Sequence, residues 1–178
     1  MTAYIDQYFK DAAGAVHFLS AQDQANAAAP GWAGPTLPDP AWTAIAADEA
    51  HTIANPPPSA AQLLAYAQAR RQVVADGGIT VNVGTTAAPV ACAANTSASG
   101  VSDLAVMLLQ AEASGSTTFY QSGGDVTVTT AQIQTIQQAV ASFIGATWAT
   151  LNTVSAAISA GTVATTAEID AASWPATS

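Results

Sequence analysis

Beyond Arg71 the sequence contains no lysine or arginine. Its three cations, Lys10, Arg70 and Arg71, share residues 1–71 with six acids, a net charge of -3; the remainder holds six acids and no base. The total of -9 gives a surface that repels phosphate backbones and anionic lipid, so nucleic acid is not an expected partner. Charge of either sign is scarce: 8% of residues are charged, against roughly 25% in average soluble domains. With half of the residues apolar, the exposed surface has to be built mostly from Ala, Ser, Thr and Gln.

Groups able to do chemistry are also few. Cys92 is the only cysteine, which excludes an intrachain disulfide and a metal site built on several thiolates; it reads as a small buried hydrophobe. His17 and His51 are the only histidines, with no partner at metal-ligand spacing, so neither metal nor cofactor is expected and both read as surface or packing residues. Two carboxylate pairs, Asp48 with Glu49 and Glu168 with Asp170, sit one and two residues apart. On a helix such neighbours diverge, so they read as helix-start acids rather than as the facing carboxylates of a glycosidase. "SGGD" and "DGG" are too short for a phosphate loop. No catalytic residue is expected, and the chain reads as no enzyme.

Long apolar runs are missing too. The window "AVASFIGATWATLNTVSAAISA" has the length to cross a bilayer, about 20 residues, but Thr147, Thr150, Asn152, Thr153, Ser155 and Ser159 interrupt it. No membrane insertion is expected. "MTAYIDQYFKD" lacks the basic start and apolar core of a signal peptide, which implies a chain that starts in the cytoplasm that made it.

What is present predicts an α+β chain in two parts. "YFKDAAGAVHFLS" reads as a hairpin turning at Asp11 to Gly14. Seven of the nine prolines then fall in residues 20–58, keeping that stretch extended except for a short helix at "AADEAHTIA". Residues 1–58 thus read as an N-terminal hairpin and Pro-rich arm, with Trp32 and Trp42 as anchors. Residues 59–178 read as a mainly helical domain.

In that domain Ser59 and Gln62 form a capping box for a helix that places Leu63, Ala67, Arg70 and Val74 on one face. Gly77 is expected to end it in the left-handed conformation, with Arg70 and Arg71 complementing the helix dipole. Two blocks of strand, turn, strand and helix follow. The first is "ITVNVGTTAAPVACA" with a helix carrying Val101, Leu104, Ala105 and Leu108; the second is a hairpin around Gly123–Gly124 leading into a long helix.

The long helix is expected from about 131 to 160, stopped by Gly161. At about 100° per residue, Ile133, Val140, Ile144, Leu151 and Ile158 fall in one narrow stripe; Ile136, Phe143, Trp148 and Val154 widen it to a core face. Phe143, Trp148 and Trp174 complete the candidate interaction or packing anchors. At the end, Thr165 caps a short helix with Glu168, and Ile169 and Trp174 fold back onto the core. Trp174→Ala is then expected to lower the melting temperature, and Asp170→Ala scarcely to matter.

The succession "AQARRQVVADGGITVNVG", "GGDVTVTTAQIQTIQQAVASFIGATWATL" and "AAISAGTVATTAEIDAASWP" resembles a domain of unknown function, DUF4376-like, that recurs at the C-terminus of bacteriophage tail and tail-fibre-associated proteins. "YFKDAAGAVHFL" with "DEAHTIANPPP" resembles the leader that often precedes it. The chain departs from that pattern at "NTSASGVSD", where an acid and an Arg often stand, and at Phe119–Tyr120, where a Trp often stands.

The resemblance implies a structural component of a phage tail near the tail fibre or baseplate, made in the host cytoplasm and found in the virion. Its partners would be other tail, fibre or baseplate subunits, with a homo-oligomer left open. The alternative it leaves is a tail-fibre assembly chaperone that binds fibre protein transiently. It carries over no catalytic residue.

Overall fold

The computed structural model describes residues 5–85 and 87–178; the first four residues of "MTAYIDQYFKD", and Thr86 of the segment "ITVNVGTTAAPVACA", lie outside it. The chain divides into two compact units, 1–57 and 58–178.

In the N-terminal unit, strands β1 (Gln7–Lys10) and β2 (Val16–Leu19) pair antiparallel, with Tyr8 opposite Phe18 and Phe9 opposite His17. Asp11 makes the turn: its Oδ1 accepts from the amides of Ala13 and Ala15, both at 2.9 Å. Gly14 supplies the positive φ of 86° that such a turn needs.

Helix α1 (Ala21–Ala27), strand β3 (Thr43–Ile45) and helix α2 (Ala47–Ala54) complete the unit. Strand β3 adds to the free side of β1, giving the order β2-β1-β3. The predicted hairpin and short helix are present; α1 and β3 are additions. Between them residues 28–42 hold no helix or strand, as four prolines in that stretch dictate. Phe9, Leu19 and Ala50 are buried, and buried Gln24 is satisfied by donating to the Ile5 carbonyl at 2.7 Å.

The C-terminal unit opens with α3 (Ala60–Asp76), capped by Ser59 and Gln62 as expected. Two antiparallel hairpins follow, each leading into a helix: β4 (Ile79–Asn82) and β5 (Ala91–Ala94) into α4 (Ala98–Ser114), then β6 (Ser116–Phe119) and β7 (Val126–Thr129) into α5 (Thr130–Ser159). The short α6 (Thr166–Asp170) closes the unit, with Thr165 and Glu168 forming the predicted capping box. Gly161, at φ 71°, stops α5 where the sequence placed the stop.

Two details differ from expectation. Gly77 ends α3 at a right-handed φ of -69°, and the left-handed residue is Gly78 at 77°, where the chain turns toward β4. Arg70 and Arg71 do not serve the α3 dipole, because the last turn of that helix holds no base. They sit a turn earlier, and each meets a side chain from elsewhere in the unit.

One long helix serves two cores. Along its first half, Ile133, Ile136 and Val140 pack with Val81, Cys92, Leu104, Phe119 and Val128 from the hairpins and α4. Along its second half, Leu151, Val154 and Ile158 pack with Leu63 and Ala67 of α3 and with Ile169 of α6. Thr147, which interrupts the apolar stripe in sequence, is fully buried between these stretches and donates its hydroxyl to the Ile144 carbonyl at 2.8 Å. A polar residue on the core face is tolerated because its hydroxyl finds a partner within its own helix.

Candidate interaction surface

The five aromatic anchors separate into inward and outward groups. Trp42 is half-buried and stacks on His17 with ring centres 4.0 Å apart and planes 7° from parallel. Phe143 is buried on α5, and Trp174 packs against the α3–α5–α6 core while donating its indole N–H to the Ile169 carbonyl at 2.8 Å. Trp32 is 43% exposed in the Pro-rich segment, its Nε1 donating to the Pro35 carbonyl. Trp148 is 50% exposed on α5, and Arg71 lies over its ring at 4.0 Å.

Trp148 stands at one side of an apolar groove of about 510 Å³ between α4 and α5. Val101, Leu104 and Ala105 line it from α4; Ala141, Ile144 and Gly145 line it from α5. The groove exists because α4 buries Gly100, Leu104 and Ala111 against the core, leaving the adjoining line of Val101 and Ala105 to overhang α5. On α5 the floor lies low because Ala141 and Gly145 have little or no side chain to fill it. The predicted apolar face of α4 is therefore only partly covered: Leu104 is buried, but Val101 remains 40% exposed.

The paired carboxylates hold local structure together. Glu168 accepts from the amides of Ala164 and Thr165 and from the Thr165 hydroxyl; these bonds, that from Ala164 first, hold its carboxyl below the ordinary range. Asp170 faces α3 instead, accepting from the Tyr66 hydroxyl at 2.8 Å, with Arg70 Nε 3.2 Å from its other oxygen. The hydrogen bond to Asp170 raises the Tyr66 phenol above its usual pKa. Asp48 and Glu49 both lie in the first turn of α2, and Glu49 pairs with Lys10 at 2.9 Å.

Asp11 binds His17 Nε2 at 3.0 Å, and this hydrogen bond is the first cause of its lowered pKa. His51 is exposed on α2. Cys92 is buried, and burial pushes its thiol upward. Among the described residues no cluster of three His, Cys, Asp or Glu stands at metal-binding distance, and no helix is long and apolar enough to cross a membrane.

The sequence places Val101 and Ala105 on one face of α4, Ile144 and Trp148 on the apolar stripe of α5, and Trp148 among the candidate anchors, but does not show that together they line a groove. Gly145, a mid-helix glycine beside the apolar stripe, was the available signal. No curated protein matches the chain, and no solved structure does. A family model described as a domain of unknown function, DUF4376, matches residues 58–173, a span that begins where the C-terminal unit begins and covers more than half of the chain. The chain belongs to the DUF4376 family.

Proposed function

We propose that this protein is a structural component of a bacteriophage tail, near the tail fibre or baseplate, that attaches one subunit to another. The observation that carries the reading is the outer face of the N-terminal sheet. Tyr8, Phe18 and Ile45 lie on the face opposite Phe9 and His17, and Phe18 is 50% exposed with Tyr8 at 5.0 Å from its ring. Ile5 and Trp32 are exposed in the same unit. Aromatic residues on a surface with few charges are what the centre of a lasting interface is made of.

The scarcity of charged residues and the resemblance of both parts of the sequence to phage tail proteins support the same assignment. The test is the protein content of purified phage particles. Peptides from this chain at a fixed ratio to tail subunits are expected, and their absence from infectious particles would overturn the assignment.

A second reading, a tail-fibre assembly chaperone, is favoured by the sheet edges. Strands β2 and β3 both lie at the outside of the sheet, offering unpaired backbone to an extended client. That reading predicts co-purification with unassembled fibre protein and loss from finished particles.

A further inference from the structure

Strand β2 lies at one edge of the N-terminal sheet. The Asp11 N–H donates to the Ala15 carbonyl at 3.1 Å, which makes these two residues a bonded pair. Antiparallel pairs alternate between bonded and non-bonded, so Phe9 with His17 and Gln7 with Leu19 are the bonded pairs of β1 and β2. Val16 and Phe18 therefore turn both N–H and C=O away from β1, and among the described residues neither backbone finds another partner.

This open stretch is bounded on both sides. Ser20 donates its N–H to the Asp23 carboxylate at 3.2 Å, and its C=O accepts from the Gln24 N–H at 3.2 Å. At the other end Gly14 donates its N–H to the Asp11 carbonyl inside the turn. The far edge of the sheet is less open. On β3 only Ala44 keeps both groups unbonded, because the Trp42 N–H donates to the Asp39 carbonyl and the Ala46 carbonyl accepts from the Ala50 N–H. Sheets guard an open edge with charge or proline, and the four residues of β2, Val16–Leu19, include no acid, lysine, arginine or proline.

We propose that β2 pairs antiparallel with β2 of a second copy, about a two-fold axis perpendicular to the sheet at His17. Val16 then lies opposite the partner's Phe18 and exchanges both hydrogen bonds with it, and the symmetry repeats the exchange on the other side of the axis. Every outward group of the open stretch is satisfied and none is left over. An axis at Phe18 would instead bring Val16 to the partner's Ser20, whose groups are already bonded. The occupant is a second copy because the stretch is its own complement in length and register; a longer strand would find both flanking N–H groups, at Gly14 and Ser20, already donated.

The side chains agree with this register. Val16 and Phe18 project from the face that carries Tyr8, so a β-branched residue meets an aromatic on each side of the axis. Phe18, half exposed in one copy, gains the cover it lacks. Nearby charges already have partners: Lys10 pairs with Glu49, and His17, which meets the partner's His17 at the axis, is held by Asp11 and Trp42. The pairing does not depend on the tail assignment.

Sedimentation equilibrium of the full chain, with hydrogen exchange read at single amides by NMR, tests it. A monomer–dimer equilibrium with a dissociation constant of about 100 μM is expected, weak because the paired stretch is short. Exchange at the Val16 and Phe18 amides should then slow about threefold between about 20 μM and about 1 mM protein, while exchange at Ala44 stays constant. Val16→Pro removes an outward N–H that β1 does not use, and is expected to give a monomer with an unchanged far-ultraviolet spectrum. Phe18→Lys, which sets a charge on the edge, is expected to do the same. A chain still monomeric at about 1 mM, an assembly larger than a dimer, exchange at Val16 and Phe18 that ignores concentration, or a dimer undiminished by both substitutions would each overturn the proposal.

Discussion

The Tyr66 hydroxyl donates to the Asp170 carboxylate at 2.8 Å, joining the second turn of α3 to the last residue of α6 across 104 positions of sequence. With Arg70 on the same carboxylate, α6 is latched to α3 by a charge-assisted contact as well as by burial of Ile169.

Asp170→Ala is therefore expected to be felt, contrary to what the sequence implied. Melting should fall by roughly 2–4 °C, a modest effect because the carboxylate is part-exposed. The latch also gives a sign at high pH. Tyr66 has a folded pKa above the unfolded 10.0, so its contribution is complete below pH 10 and is lost as pH rises through the folded value. Thermal melts of the protein and of Asp170→Asn between pH 8 and 11 should converge at the alkaline end.

The acid side is governed by a different group. Glu168 has a folded pKa below 4.5, so the stability it contributes is complete above that value and is lost as pH falls through the folded one. Urea midpoints measured from pH 6 down to 3 should drop less steeply in Glu168→Gln, which keeps an acceptor but does not titrate. Thr165→Ala, removing the cap itself, is expected to cost about 1 kcal/mol at neutral pH.

Trp174→Ala is expected to cost about 2 kcal/mol by urea denaturation. The value lies below that for a fully enclosed Trp because the side chain keeps some exposure. Trp174→Phe should recover most of the packing but leave the Ile169 carbonyl without the indole donor.

Two glycines in helices should respond to alanine with opposite signs. At Gly145 a Cβ meets nothing within 4 Å, so Gly145→Ala should stabilise the unit by about 0.5–1 kcal/mol through backbone entropy. At Gly100 it would collide with the Asn95 backbone carbonyl, so Gly100→Ala should destabilise by about 1–3 kcal/mol.

Punctuation made most of the C-terminal unit legible in advance. Ser59, Thr129 and Thr165 each act with a Gln or Glu three residues on, and Gly115 and Gly161 take positive φ at helix ends. These are interactions over a few residues, which sequence displays directly. Helix α1 had the same kind of signal in Ser20 and Asp23, but "AQDQANA" has no apolar period to support it. Strand β3 is three residues long, too short for alternation to register, and exists because β1 offers it an edge.

What sequence did not disclose are meetings across the fold. The stacking of Trp42 on His17, the seat of Arg71 over Trp148 and the turn of Asp170 toward Tyr66 each depend on where two remote segments come to rest. The same holds for the groove. A wheel projection shows that Val101, Ile144 and Trp148 are on apolar faces, but only the tilt of α4 against α5 decides that they are left open.

Because α5 lends a wall to both cores of the C-terminal unit, neither core survives the unravelling of that helix. The clusters are thermodynamically coupled. A cavity made in one, for instance by Leu63→Ala, is expected to speed hydrogen exchange at amides beneath the other, and heat should take both apart in a single step.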